Sequence, residues 1–191
     1  MTKEIRISLE PLSAHAFAPF GQVIGPQDCP PIFSGPHIES WRMSFDVDGD
    51  MELMFARYVH QAFAFTQMER HFNVTQSFIA LGGAASVMAV APPTDPNDPT
   101  AVPKPDDIRA FYVEGDTGLM LWRGTWHALT RFPAHPPGAA FALITGKATQ
   151  RELERQLADG TKPRHTEVVD FADTRGISIA ITDPQGLVAR A

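Results

Sequence analysis

Residues 68–83, MERHFNVTQSFIALGG, place a carboxylate and an imidazole two residues apart, Glu69 and His71, with Gln76 shortly after. Further along, LWRGTWHALT brings His127 three residues after Gly124. If the first run is a strand, its side chains alternate between faces. Gln67, Glu69 and His71 then share one face, and Met68 and Arg70 point the other way. An anionic oxygen and a neutral imidazole nitrogen that project into one space suit a divalent transition metal such as zinc, nickel or manganese. His127, from a distant strand, would complete a set of three ligands. Gln76 is a neutral and weak ligand, better suited to orienting water or substrate. Arg57 and Arg109 are candidates to grip a small carboxylate through a bidentate fork.

The elements that must carry these residues are mostly short strands. Segments such as WRMSFDVDG, MELMFARYV, AFAFTQMERH, TQSFIALGG, ASVMAVAP, IRAFYVEG, GLMLW, WHALTRF and AAFALITG show period-two or continuous apolar character between turn residues. So many strands at this spacing predict an all-β sandwich or barrel. PLSAHAFAPFG reads as a short helix capped by Ser13 and ended by Gly21. The stretch 92–105 holds six prolines in fourteen residues. It cannot form a ladder, because proline lacks the N–H donor, and it reads as a surface loop or a rim at a pocket mouth. ATQRELERQLADG reads as a helix with Thr149 and Glu152 as a capping box and Gly160 as its stop. HTEVVDF and GISIAIT add two strands.

With 191 residues the chain fits a single domain, 1–191. A barrel over 8–146 and a C-terminal extension over 147–191 are expected. A net charge of −6 argues against non-specific nucleic-acid binding, which needs a basic face. One cysteine, Cys29, excludes an intrachain disulfide and a Cys-rich zinc site. No signal peptide or bilayer-spanning run is expected. The remaining histidines, His15, His37, His60, His135 and His165, lack matching partners and read as structural or solvent-facing. Trp122 and Trp126 read as packing residues.

The spacing Glu69-x-His71, four residues, Gln76, six residues, Gly83 resembles the first metal motif of small jelly-roll barrels of the cupin class. Trp122-x-Gly124-x-x-His127 resembles the second, with tryptophan in place of proline. The runs ERH, TQSFIALGG, IRAFYVEGDTG and WRGTWH, with the opening PLSAHAFAPFGQVI, resemble more narrowly the ureidoglycolate lyase family over residues 9–146, with gaps. The resemblance implies a cupin-like jelly-roll β-barrel, a cytoplasmic enzyme and a homodimer. The implied reaction splits ureidoglycolate into glyoxylate and urea in purine and allantoin nitrogen salvage, a carbon–nitrogen lyase step on a small carboxylate. It implies catalytic and metal roles for Glu69, His71 and His127, and substrate contacts for Arg57, Gln76 and Arg109. The family usually reads Tyr-His-Arg-x-x-Trp-His-His at the second motif. Here Trp122 and Ala128 stand at the two other histidine positions. Another metal-dependent cupin enzyme acting on a small acid, and a non-catalytic small-molecule-binding cupin, are the competing readings.

Overall fold

The computed structural model describes residues 2–98 and 100–190. The chain opens with β1 (Lys3–Pro11), α1 (Ala14–Phe17), β2 (Gly21–Ile24) and the hairpin β3 (Phe33–Gly35) and β4 (Ile38–Ser40). Next come β5 (Met51–Val59), β6 (Ala64–Phe65), β7 (Gln67–His71), β8 (Gln76–Leu81) and β9 (Gly83–Ala91). After the proline-rich loop follow β10 (Arg109–Gly115), β11 (Gly118–Leu121), β12 (Trp126–Ala128), β13 (Phe132–Pro133) and β14 (Gly138–Gly146). The chain continues through α2 (Lys147–Asp159), β15 (Thr166–Asp170), α3 (Phe171–Arg175) and β16 (Ile177–Thr182).

Two curled sheets form a half-barrel of the cupin-like all-β kind. The larger has nine strands in the order β15-β7-β12-β9-β10-β1-β16-β6, with β13 beside β9. The smaller has five in the order β2-β11-β8-β14-β5. Alternation gives each sheet an apolar inner face. Met88, Val90, Phe111 and Val113 of the larger sheet meet Phe78, Leu119, Leu121, Phe141 and Leu143 of the smaller in one buried cluster. The larger sheet also has an apolar back, because its far strands curl round to cover it. Met68 and Trp126 pack there with Ile177 and Ile179 of β16 and Phe171 of α3.

This second core explains Arg70. It does point away from Glu69, yet it is only 1% exposed. Its guanidinium donates to Glu167 and to the Thr94 carbonyl and lies over the Trp126 and Phe72 rings. Thr94 belongs to the proline-rich loop, which therefore folds against the back of the sheet. Pro99 of that loop lies outside the described residues.

Two local expectations differ. Residues 41–46 do not form a strand. Side chains take the place of a ladder there: Gln22 Oε1 accepts from Ser44 N at 3.1 Å and Thr75 Oγ1 from Asp46 N at 2.7 Å. Helix α2 begins at Lys147 with Gly146 as its N-cap, one turn before the expected capping box. Thr149 instead donates to Asn73 Oδ1 at 2.6 Å, and Glu152 accepts from the backbone N–H groups of Arg164 and His165. The N-terminal segment forms β1, which pairs in parallel with both β10 and β16. Ser13 caps α1 as expected, accepting from Ala16 N at 3.1 Å.

Candidate active site

Antiparallel pairing of β12 with β7 sets His127 directly opposite Glu69. The turn before β12 makes this register possible. Gly124 sits at φ +76°, a conformation that side chains disfavour, and its N–H donates to the His71 carbonyl at 2.7 Å. Glu69, His71 and His127 therefore project together from the inner face of the larger sheet. Glu69 Oε1 lies 3.8 Å from His71 Nε2 and 4.0 Å from His127 Nε2. The potential ligand atoms of all three lie within 4.8 Å of one another, the one such group among the described residues.

A hydrogen bond behind each ring holds it in place, and that of His127 sets its tautomer. His127 Nδ1 lies 3.0 Å from the Ala128 carbonyl oxygen, which can only accept, so Nδ1 carries the proton and Nε2 keeps its lone pair. His71 Nδ1 lies 2.9 Å from Thr166 Oγ1. Thr166 reaches it because β15 pairs with β7 and places Thr166 opposite His71. Both Nε2 atoms are buried without a hydrogen-bond partner. Burial holds His71 down at about 3, with His127 adding to the effect, and His127 down at about 4. Burial pushes Glu69 up to about 7. Near neutral pH the imidazoles are uncharged, and little work removes the last carboxyl proton. Two unprotonated nitrogens and one carboxylate oxygen fit a divalent transition ion. The orphaned nitrogens are the atoms such an ion would satisfy.

The triad opens on a cavity of about 100 Å³ between the two sheets, lined in part by Glu69, Gln76 and His127. A water molecule occupies roughly 30 Å³ of liquid, so the space suits a small metabolite and excludes a drug-sized one. Gln76, at the start of β8, is 8% exposed, and its Oε1 has no partner. Helix α2 contributes Gln150 and Leu153, and β5 contributes Tyr58.

The two arginines expected at the substrate are elsewhere. Arg57 is exposed on the outward side of β5, because strand alternation turns its neighbour Tyr58 inward instead. Arg109 forms a fork with Glu10 and donates to the Ala16 carbonyl at 3.0 Å, clasping β1 and α1 to β10. A different guanidinium lines the cavity. Arg131 is 1% exposed, and its Nε, Nη1 and Nη2 all lack partners. Its Cζ lies 4.8 Å from the Phe78 ring centroid and 5.2 Å from that of Phe141. Burial lowers it to about 10, so it stays charged at neutral pH. WHALTRF, read as one continuous strand, puts Arg131 on the face of His127; in the structure the strand breaks after Ala128, and Leu129, Thr130 and Arg131 all line the cavity. Thr166 had no such signal, since only the sheet order brings β15 beside β7.

The family model for ureidoglycolate lyase matches residues 4–162. The ureidoglycolate lyase of Azotobacter vinelandii is 30% identical over 129 residues, 63% of this chain and 74% of that protein. That of Rhodobacter capsulatus is 32% identical over 140 residues, 70% of this chain and 82% of that protein. The chain belongs to the ureidoglycolate lyase family. Membership of that family favours the lyase reading over the competing ones. The two departures from the family's second motif leave the triad itself untouched. Ala128 points to the back of the sheet, in the cluster with Phe132 and Leu9. Trp122 donates its Nε1–H to the Ala18 carbonyl at 3.0 Å. The family match ends before β15, so the residue that orients His71 lies beyond the matched region.

Proposed function

We propose that this chain is a ureidoglycolate lyase that cleaves ureidoglycolate to glyoxylate and urea in the cavity lined by Glu69 and His127. The observation that carries the reading is the convergence of Glu69, His71 and His127 beside a cavity of metabolite size, in a chain of this family. The reaction removes the proton of the substrate hydroxyl, breaks the adjacent carbon–nitrogen bond and returns a proton to the departing urea nitrogen. The hydroxyl carbon becomes the aldehyde of glyoxylate.

Glu69, His71 and His127 would hold a divalent ion of the zinc, nickel or manganese type, which supplies the Lewis acidity that lowers the pKa of a hydroxyl. Without the ion, Glu69, pushed up to about 7 by burial, is itself the group placed to take up the hydroxyl proton and hand it on. Burial keeps both imidazoles neutral, and the bonds to Ala128 and Thr166 hold the His127 and His71 rings in place. Gln76 offers its unpaired Oε1 to the ureido N–H groups, fixing the leaving group against the reacting carbon.

We also infer a cytoplasmic homodimer. Met51, Leu53, Phe55 and Val59 form an exposed apolar stripe along β5, an edge strand of the smaller sheet, and such edges invite pairing. The single cysteine, Cys29, is exposed and unpaired, in keeping with a reducing compartment. Among the described residues, no helix is long and apolar enough to cross a membrane.

Glyoxylate release from racemic ureidoglycolate tests the reading, measured with added divalent metal and again with a chelator. Release that the chelator stops is expected. Release that survives chelation would remove the metal and keep the lyase, and no release above background would remove the lyase.

A further inference from the structure

We propose that Arg131 is the anchor for the substrate's carboxylate and sets the site's preference for acids over neutral ureides. The inference rests on the reading of the cavity as the lyase's substrate site. Among the described residues, every other buried arginine side chain has an evident protein partner. Arg70 has Glu167 and Thr94. The half-buried Arg109 has Glu10 and Ala16. Arg131 alone among these turns all of its guanidinium nitrogens, fully buried, toward no acceptor. A charge withdrawn from water without a counter-ion is a standing cost to the fold, and the fold keeps it beside the cavity that holds Glu69, Gln76 and His127.

The placement matches the chemistry of an α-hydroxy acid. Such a molecule carries its carboxylate and hydroxyl on adjacent carbons, so the groups that recognise them must also be adjacent. Arg131 follows His127 by four residues across the short break between β12 and β13. The cavity thus has a donor pole at Arg131 and an acceptor at Gln76 Oε1, beside the metal-competent cluster that includes Glu69 and His127. A carboxylate on the first and ureido N–H groups on the second would satisfy the orphaned groups of both. Phe78 and Phe141 flank the guanidinium, so its fork is held rigid before the ligand arrives. An uncharged ureide would enter the same volume and leave the cation unpaired.

The test is calorimetric titration of the purified protein with glycolate, which carries the reacting end of the substrate, and with glycolamide, its neutral isostere. The wild type is expected to bind glycolate more tightly than glycolamide by about 10- to 100-fold, the range for hydrogen bonds to a charged group. Arg131→Met is expected to lose that preference while binding glycolamide as before. In turnover, Arg131→Met is expected to raise KM for ureidoglycolate by a similar factor. Arg131→Lys keeps the charge without the fork and is expected to fall between them. It also decides the matter if the methionine variant does not fold. A glycolate preference that survives in Arg131→Met, or is absent from the wild type, would overturn the anchor. A wild type that prefers glycolate and yet releases no glyoxylate from ureidoglycolate would overturn the lyase reading and leave the anchor standing.

Discussion

Replacing Arg131 with methionine should make the ligand-free protein more stable. Burial lowers the guanidinium from its ordinary value to about 10. At roughly 1.4 kcal/mol per pH unit, carrying the charge costs the folded state about 3 kcal/mol. The sign follows from linkage: a base whose folded pKa lies below its unfolded value destabilises the fold wherever it is charged. The penalty is therefore in full force at neutral pH and fades only as pH rises past about 10. Contacts with the faces of Phe78 and Phe141 return about 1–2 kcal/mol. Methionine is unbranched and flexible and can fill most of the vacated space. The net expectation is a gain of about 1–2 kcal/mol. In a chain of this size each kcal/mol moves Tm by roughly 2–4 °C, so Tm should rise by about 2–8 °C. Thermal unfolding in chelator, without small acids, measures it. Adding glycolate at about a hundred times its wild-type Kd should close or reverse the gap. It stabilises the wild type by about 2.7 kcal/mol and a variant that binds about 10- to 100-fold more weakly by only about 0.4–1.4 kcal/mol. A fall in Tm for the ligand-free variant would refute the reasoning, because it would make Arg131 a structural tie.

His127→Ala is expected to reduce bound divalent metal per chain to background and to cut lyase turnover by at least about 10²-fold, with far-UV circular dichroism unchanged. Retained metal and activity would remove His127 from the site. Thr166→Val removes the partner of His71 Nδ1 and should weaken metal binding by about 10- to 100-fold, read by competition with a chromogenic chelator; unchanged affinity would mean that packing alone orients the ring. Arg57→Ala, on the outward side of β5, should leave KM within about twofold of wild type, whereas a larger rise would return Arg57 to substrate binding. Arg109 holds the Glu10 carboxyl below its usual range, so this pair adds stability above the ordinary carboxylate pKa that is lost as pH falls through the lowered value. Glu10→Gln should flatten the acid side of the urea-midpoint profile and spare activity; an unaltered profile would show that the clasp contributes nothing.

The triad was legible because its logic is local. Period-two alternation put Glu69 and His71 on one face, and Gly124 marked the turn that delivers His127. The arginines show where locality ends. Arg57 and Arg109 both sit in strands that were recognised as strands. Yet which face of β5 looks inward depends on its pairing with β14, and the ion pair of Arg109 depends on β1 lying alongside β10. Arg70 was correctly turned away from Glu69, but the back of a sheet is solvent only if nothing covers it. Here β16, α3 and the proline-rich loop do. Thr166 is the limiting case. It acts on His71 from 95 residues away in sequence, and nothing in either stretch announces that β15 and β7 are neighbours.

Glu69 and Arg131 line one cavity with opposite charge potential, and no ion pair joins them, since every guanidinium nitrogen lacks a partner. Stability alone would favour their pairing, because a paired buried charge costs far less than a lone one. The fold keeps them apart by mounting them on different supports: Glu69 on β7 within the ladder, Arg131 beyond the break after β12 and against the rings of β8 and β14. Each is then left to be satisfied from within the cavity, Glu69 by a cation and Arg131 by an anion. Separation of the two charges thus costs stability in the free protein and is recovered on binding, which is the pattern expected where recognition shapes a site more than folding does. A substitution that let the two charges meet would be expected to raise stability and to weaken metal and acid binding together.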